Sequence, residues 1–277
     1  MKKLSFFPIA ILLLFVGQST FAQEGENNLK NFRFGLFGEP CITWYRPDNT
    51  EHLVSKGSGV KFAYGLVMDF RLNKTTFLSM GIKSQSSGGH LGITSDEINN
   101  NTVARDTVIY WNEDNKDVPD SIMLLSRDYQ VSYVTIPLTL KMKTQDINGF
   151  TFFGQFGADL SVKTKAKSLT DQGKIWKYPY TSLTVVDPPI KKIDITKEMN
   201  FMNIGLNIGA GLEYNLSGTT SILFSVNYHR GFTNVFNGSC DELQQRSWDS
   251  ANSWFSYDKY KPNAKADYVS FTVGVLF

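Results

Sequence analysis

From residue 32 to Phe277, large apolar side chains recur at every second position, with Gly, Ser, Thr, Asn or a single charge between them. Phe32, Phe34, Leu36, Ile42 and Trp44 alternate with Arg33, Gly35, Glu39 and Thr43, and Val60, Phe62, Tyr64, Leu66, Met68 and Phe70 with Lys61, Ala63, Gly65 and Asp69. Successive side chains of a strand point to opposite faces, so each segment has one greasy face and one small or polar face. The pattern predicts eight strands, at about 31–45, 57–72, 76–85, 129–143, 150–164, 199–215, 221–230 and 266–277. The apolar parity is even in the first seven and odd in the eighth, through Val269, Phe271, Val273, Val275 and Phe277.

Connections alternate in length. Residues 73–75, 144–149 and 216–220 are short and rich in turn formers, whereas 46–56, 86–128, 165–198 and 231–265 are longer. Each strand meets the roughly 9–11 residues that a tilted membrane strand needs. In a soluble barrel the second face would meet water and carry Lys and Glu. Here it carries Gly35, Gly65, Gly81, Gly157, Gly205, Gly209, Gly211 and Gly274, which suit the crowded interior of a narrow barrel. The expectation is an all-β fold: an eight-stranded, antiparallel, up-and-down transmembrane β-barrel with long extracellular loops.

The N-terminus adds a destination. Lys2 and Lys3, the apolar run Leu4 to Val16 and the small-residue site Thr20-Phe21-Ala22 read as a signal peptide cleaved after Ala22. This gives a signal at 1–22, a barrel domain at 23–277 and export to the cell outer membrane. Without Lys2 and Lys3 the 28 basic residues become 26 and balance the 26 acidic ones, so no nucleic-acid partner is expected. Cys41 and Cys240 are the only cysteines and could form one disulfide, while a metal site needs more ligands at closer spacing.

Tyr133-Val134-Thr135-Ile136-Pro137-Leu138-Thr139-Leu140-Lys141 resembles the Y-L-E-I-P-L-x-L-K strand of the PorT-type outer-membrane β-barrel family of Gram-negative bacteria. Gly149-Phe150, Gly154-Gln155-Phe156-Gly157 and Ile208-Gly209-Ala210-Gly211-Leu212-Glu213-Tyr214 are similar too. Thr135 stands where that family usually has Glu. The ending Val273-Gly274-Val275-Leu276-Phe277 resembles the terminal signal read by barrel-assembly machinery. The resemblance implies an outer-membrane barrel with lipid and assembly machinery as partners, and a type IX secretion and gliding role through its best-known member.

The inward parity collects Arg33, Glu39, Lys61, Asp69, Arg71, Lys83, Lys141, Lys143, Asp159, Lys163 and Glu213, expected to form a salt-bridged polar plug rather than a conducting path. His52, His90 and His229 lack metal-ligand or nucleophile spacing, and His229 reads as a solvated rim residue. No cofactor, metal or catalytic set is therefore expected. Trp111, Trp176, Trp248, Trp254 and Tyr257 fall in the long connections and are candidates for binding another cell-surface or secretion-system protein. Trp44, Tyr45, Tyr64, Tyr214 and Tyr228 read as interfacial girdle residues. Gly38, Pro40 and Pro137 should weaken strand pairing. The leading expectation is a non-enzymatic structural or assembly component. The alternatives are a narrow transport barrel with a lateral opening and a lipid- or peptide-modifying enzyme.

Overall fold

The computed structural model describes residues 31–50, 53–93, 107–111, 121–177, 182–238, 243–249 and 254–277. The signal peptide and its cleavage site lie outside these residues. The described chain is an all-β antiparallel structure of thirteen strands: β1 (Phe32–Pro47), β2 (Leu53–Gly57), β3 (Gly59–Arg71), β4 (Thr76–Ile93), β5 (Thr107–Trp111), β6 (Ser121–Lys143), β7 (Phe150–Lys177), β8 (Ser182–Val185), β9 (Met202–Ser217), β10 (Thr220–Gly231), β11 (Leu243–Asp249), β12 (Trp254–Lys259) and β13 (Ala264–Leu276). The pairing path β6-β4-β3-β1-β13-β10-β9-β7 closes on itself because β7 also pairs β6. First strand meets last through registers such as Leu36↔Val275 and Thr43↔Tyr268.

The parity rule holds as an outside-in rule. Phe34, Leu36, Phe62, Leu66, Ile136, Leu138, Phe152, Phe156, Ile208 and Val226 are exposed on the outer face, as are the odd residues Phe271 and Val273 of β13. The opposite face is buried inside the ring and is mostly polar or small, with Thr43, Asp69, Ser79, Lys83, Thr135, Lys141, Asn207 and Ser225 among its members. Crowding explains the glycines there. A Cβ on Gly81 would lie 2.2 Å from the Leu66 carbonyl oxygen, and one on Gly157 only 2.1 Å from that of Leu138. Thr135, in place of the Glu usual in the resembled strand, is buried with its hydroxyl 2.8 Å from Ser161 Oγ.

The short turns lie where expected, but the long connections differ. β4, β6 and β7 run well beyond the apolar belt, and β2, β5, β8, β11 and β12 are built from segments read as loops. The reason is a second core. Leu91, Val108, Tyr129, Val131, Ile195, Phe236 and Tyr260 pack with Tyr45 beneath a dome at the long-connection end. Tyr45 is therefore not a girdle residue: it is buried edge-on against Tyr129, ring centroids 5.7 Å apart. Tyr64, Tyr214 and Tyr228 do face outward. Bulges in the β6–β7 ladder make the dome possible. Thr164 is skipped between Lys163↔Tyr133 and Lys165↔Ser132, which inverts the faces of β7 so that Ala166 and Ser168 point inward.

Candidate functional site

The interior charges form two clusters on facing strands. Nearer the short turns, the buried carboxylates of Asp69 (β3) and Glu213 (β9) receive Lys141 and Lys143 from β6 and Arg33 from β1. Lys141 Nζ lies 3.0 Å and Lys143 Nζ 3.3 Å from Asp69 Oδ2; Lys143 and the Arg33 guanidinium each lie 2.6 Å from a Glu213 oxygen. Further along, Lys83 Nζ donates to Glu39 at 3.3 Å and to the Tyr268 hydroxyl at 3.3 Å. Tyr268 in turn donates to Asp159 Oδ2 at 3.0 Å. An unpaired buried charge costs several kcal/mol, and each acid of these clusters faces a basic partner inside the ring.

His229 is where the sequence reading needs correction. It is not a solvated rim residue. Its side chain is buried, stacked on the Tyr268 ring at 3.9 Å between centroids, with Nδ1 2.6 Å from Asp159 Oδ2 and Nε2 3.2 Å from Ser270 Oγ. Parity had placed it on the inner face; its burial comes from cross-strand contacts with Tyr268 and Ser270 of β13 and with Asp159 of β7, which the alternation alone does not report. The Ser270-His229-Asp159 order is that of a hydrolytic relay. Its surroundings are not. Ser270 is fully buried, Glu39 Oε1 stands 3.7 Å from His229 Nε2, and the flanking cavities measure only about 30 and 60 Å³. Ligand pockets are roughly 300–1,000 Å³. The arrangement packs the interior and leaves no room for a substrate.

Three expected members lie elsewhere. Arg71 sits at the exposed short-turn rim, its Nε donating to the Asn73 carbonyl at 3.2 Å, because β3 ends there. Lys61 is half-buried and interacts with the Asp128 carboxylate, outside both clusters. Lys163 anchors the chain before β9 by donating to the carbonyls of Thr196 and Met199.

A third ionic group had no sequence signal. Arg127 of β6 is fully buried in the dome. Its Nε and one terminal nitrogen lie 3.0 and 2.7 Å from Asp171 oxygens, and its other terminal nitrogen 2.6 Å from Glu198. These opposite charges hold the Arg127 guanidinium even further above its usual range, against the opposing effect of burial.

Of the aromatic candidates, Trp111, Trp176, Trp248 and Trp254 belong to β5, β7, β11 and β12 rather than to loops; their side chains lie outside the described residues. Tyr257 is exposed on β12. Beside it a cleft of about 580 Å³ opens on the dome, lined by Asn49, Leu53, Gln245, Asp258, Tyr260 and Asn263 among others. Cys41 is a buried free thiol 3.2 Å from the Glu39 carbonyl, and Cys240 lies outside the described residues. Pairing is interrupted at Pro40 and Pro137: β1–β13 skips Glu39-Pro40 opposite Phe271-Thr272, and β4–β6 skips Gly81-Ile82 opposite Ile136-Pro137.

The sequence matches the family described as outer membrane protein beta-barrel domain over residues 21–237. Among solved structures it is similar to Neisserial surface protein A, at 10% identity over 88% of this chain and 95% of that one, TM-score 0.38. It is also similar to the outer membrane protease OmpT from Escherichia coli, at 10% identity over 92% and 99%, TM-score 0.43. OprG from Pseudomonas aeruginosa is a third, at 10% identity over 88% and 93%, TM-score 0.40. At these identities and scores the likenesses carry no argument about activity. No curated protein matches the chain.

Proposed function

Because the chain belongs to the outer membrane protein beta-barrel domain family, we propose that it is an eight-stranded up-and-down barrel spanning the outer membrane. Its short turns face the periplasm and its dome faces outward. Lipid surrounds the apolar outer face, even in parity except in β13, and Phe277 is the end read by the assembly machinery. The chain acts without catalysis, as a structural or assembly component whose dome binds another cell-surface or secretion-system protein. The PorT-like strand at Tyr133–Lys141 supports the secretion-associated form of this role.

The observation that carries the reading is the contrast between interior and dome. The interior is filled by paired charges around cavities of about 30 and 60 Å³, whereas the dome offers a cleft of about 580 Å³ beside exposed Tyr257. Replacing residues 244–258 with a Gly-Ser linker should release the bound membrane partner on co-purification while the barrel still inserts. Full retention of every partner would refute dome binding.

The ladder gaps at Pro40 and Pro137 favour a second reading, lateral passage of a small hydrophobic molecule. An apolar groove of about 460 Å³ lies outside the β1–β13 seam, lined by Leu36, Gly38, Phe224 and Val273 among others. Steady single-channel steps from the pure protein in planar bilayers would argue for transport and against the plug.

A further inference from the structure

The bulge at Thr164 does more than make room for the dome core: it turns lysines outward. Below it, the last apolar rows of β6 and β7 are Ile136↔Leu160 and Val134↔Val162. Above it, Ala166 and Ser168 are buried while Lys165 is exposed and Lys167 half-buried on the outer face. Lys165 lies directly across from Ser132, which is itself across from Ser86 of β4. The returning chain runs alongside: the backbone of Asp194 forms an isolated β-bridge with Lys167, its carboxylate interacts with Lys165 and Lys163, Ile193 and Ile195 are buried, and Lys191, Lys192 and Lys197 are exposed. Two acids, Asp194 and Asp128, border these lysines, and Asp128 is hydrogen-bonded to His90.

Position decides what such a face meets. Lys165 lies across from Ser132, two ladder steps beyond the Val134↔Val162 row because the bulged Thr164 adds none, roughly 7 Å along the strand. With a tilt of about 40° that is roughly 5 Å above the apolar belt. The headgroup layer occupies about 5–7 Å beyond the hydrocarbon on each side. A Lys side chain at this height keeps its stem along the apolar boundary and its ammonium at headgroup level.

We propose that the Lys165–Lys167–Lys192 face, with the Ser132 and Ser86 hydroxyls beside it, binds the phosphate groups of an outer-leaflet lipid. The lysines supply charge-assisted donors to phosphate oxygens and the hydroxyls supply neutral ones. The inference rests on the transmembrane orientation given under Proposed function, with the dome outside.

The test is native mass spectrometry of the purified full chain in detergent, titrated with bisphosphorylated lipid A and with the same lipid enzymatically dephosphorylated. Each lysine near a charged membrane surface contributes about 1 kcal/mol, so the Lys165→Ser/Lys167→Ser protein should need about 30-fold more bisphosphorylated lipid for equal occupancy. Lys165→Arg/Lys167→Arg should bind like wild type, as should Lys74→Ser at the opposite end. Wild type should also bind the dephosphorylated lipid about as poorly as the double-Ser protein binds the phosphorylated one. Equal binding by a folded double-Ser protein, or equal binding of both lipids by wild type, overturns the proposal. If the double-Ser protein does not fold, the wild-type titration at 50 and 500 mM salt, about tenfold apart in ionic strength, decides: salt-insensitive binding refutes it. Failure of the barrel reading shows separately, as a purified wild-type chain without a heat-modifiable band.

Discussion

Arg127→Met separates the dome from the barrel beneath it. The guanidinium bridges Asp171 on β7 and Glu198 in the 3-10 turn Thr196–Glu198, and its carbon lies 4.9 Å from the Tyr110 ring centroid. Methionine keeps much of the stem's volume but leaves two fully buried carboxylates without their cation. Breaking a buried pair by removing one partner costs about 3–5 kcal/mol, because the remaining charge has lost both water and partner. At 1.36 kcal/mol per decade this raises the open population of the 165–198 region by roughly two to four orders of magnitude. Limited proteolysis of the inserted protein reads that population when opening and closing are fast relative to cleavage. Cleavage within 165–198 should accelerate by that range while the strands within the belt stay protected. The triple change Arg127→Met/Asp171→Leu/Glu198→Leu should recover most of the loss, since apolar replacement of a whole buried ionic group is often neutral. A single variant as resistant as wild type would show that this ionic group does not hold the dome.

Three further outcomes are expected. Gly157→Ala should lower the unfolding free energy by about 1–3 kcal/mol in urea titrations, because its Cβ meets backbone at 2.1 Å, whereas Gly154→Ala, with nothing within 4 Å, should change it little. Ile208→Arg, in mid-belt on β9 and 52% exposed, should cost about 2–4 kcal/mol of stability in vesicles. Asp69→Asn leaves Lys141 and Lys143 with Glu213 as their remaining ion-pair partner, so it should lower the temperature at which the heat-modifiable band is lost; an unchanged temperature would count against the paired interior.

The belt was legible in the sequence because one face is apolar over eight long segments, and a period of two admits no other reading there. The inner face of most interior charges followed from the same parity; which of them pair did not, nor that Arg71, Lys61 and Lys163 stand outside the two clusters. The dome was not. Thr164 interrupts the period, so beyond it Lys165 and Lys167 change faces and the alternation no longer reports burial. Arg127 finds its partners 44 and 71 residues away, and nothing local in the sequence marks them. His229 was assigned to the correct face at the wrong depth, since its depth is set by Tyr268, Ser270 and Asp159 on other strands.

The direction of the two faces can be read by spin labels placed singly from residue 202 to 215 along β9 in a Cys41→Ser/Cys240→Ser background, reconstituted in vesicles. Accessibility to oxygen, which dissolves in lipid, should peak at the even positions 204, 206 and 208, and be low at 205, 207 and 209, with a water-soluble nickel reagent reaching neither set. High nickel accessibility at the even positions would mean that the apolar face meets water, and would contradict a membrane-spanning barrel.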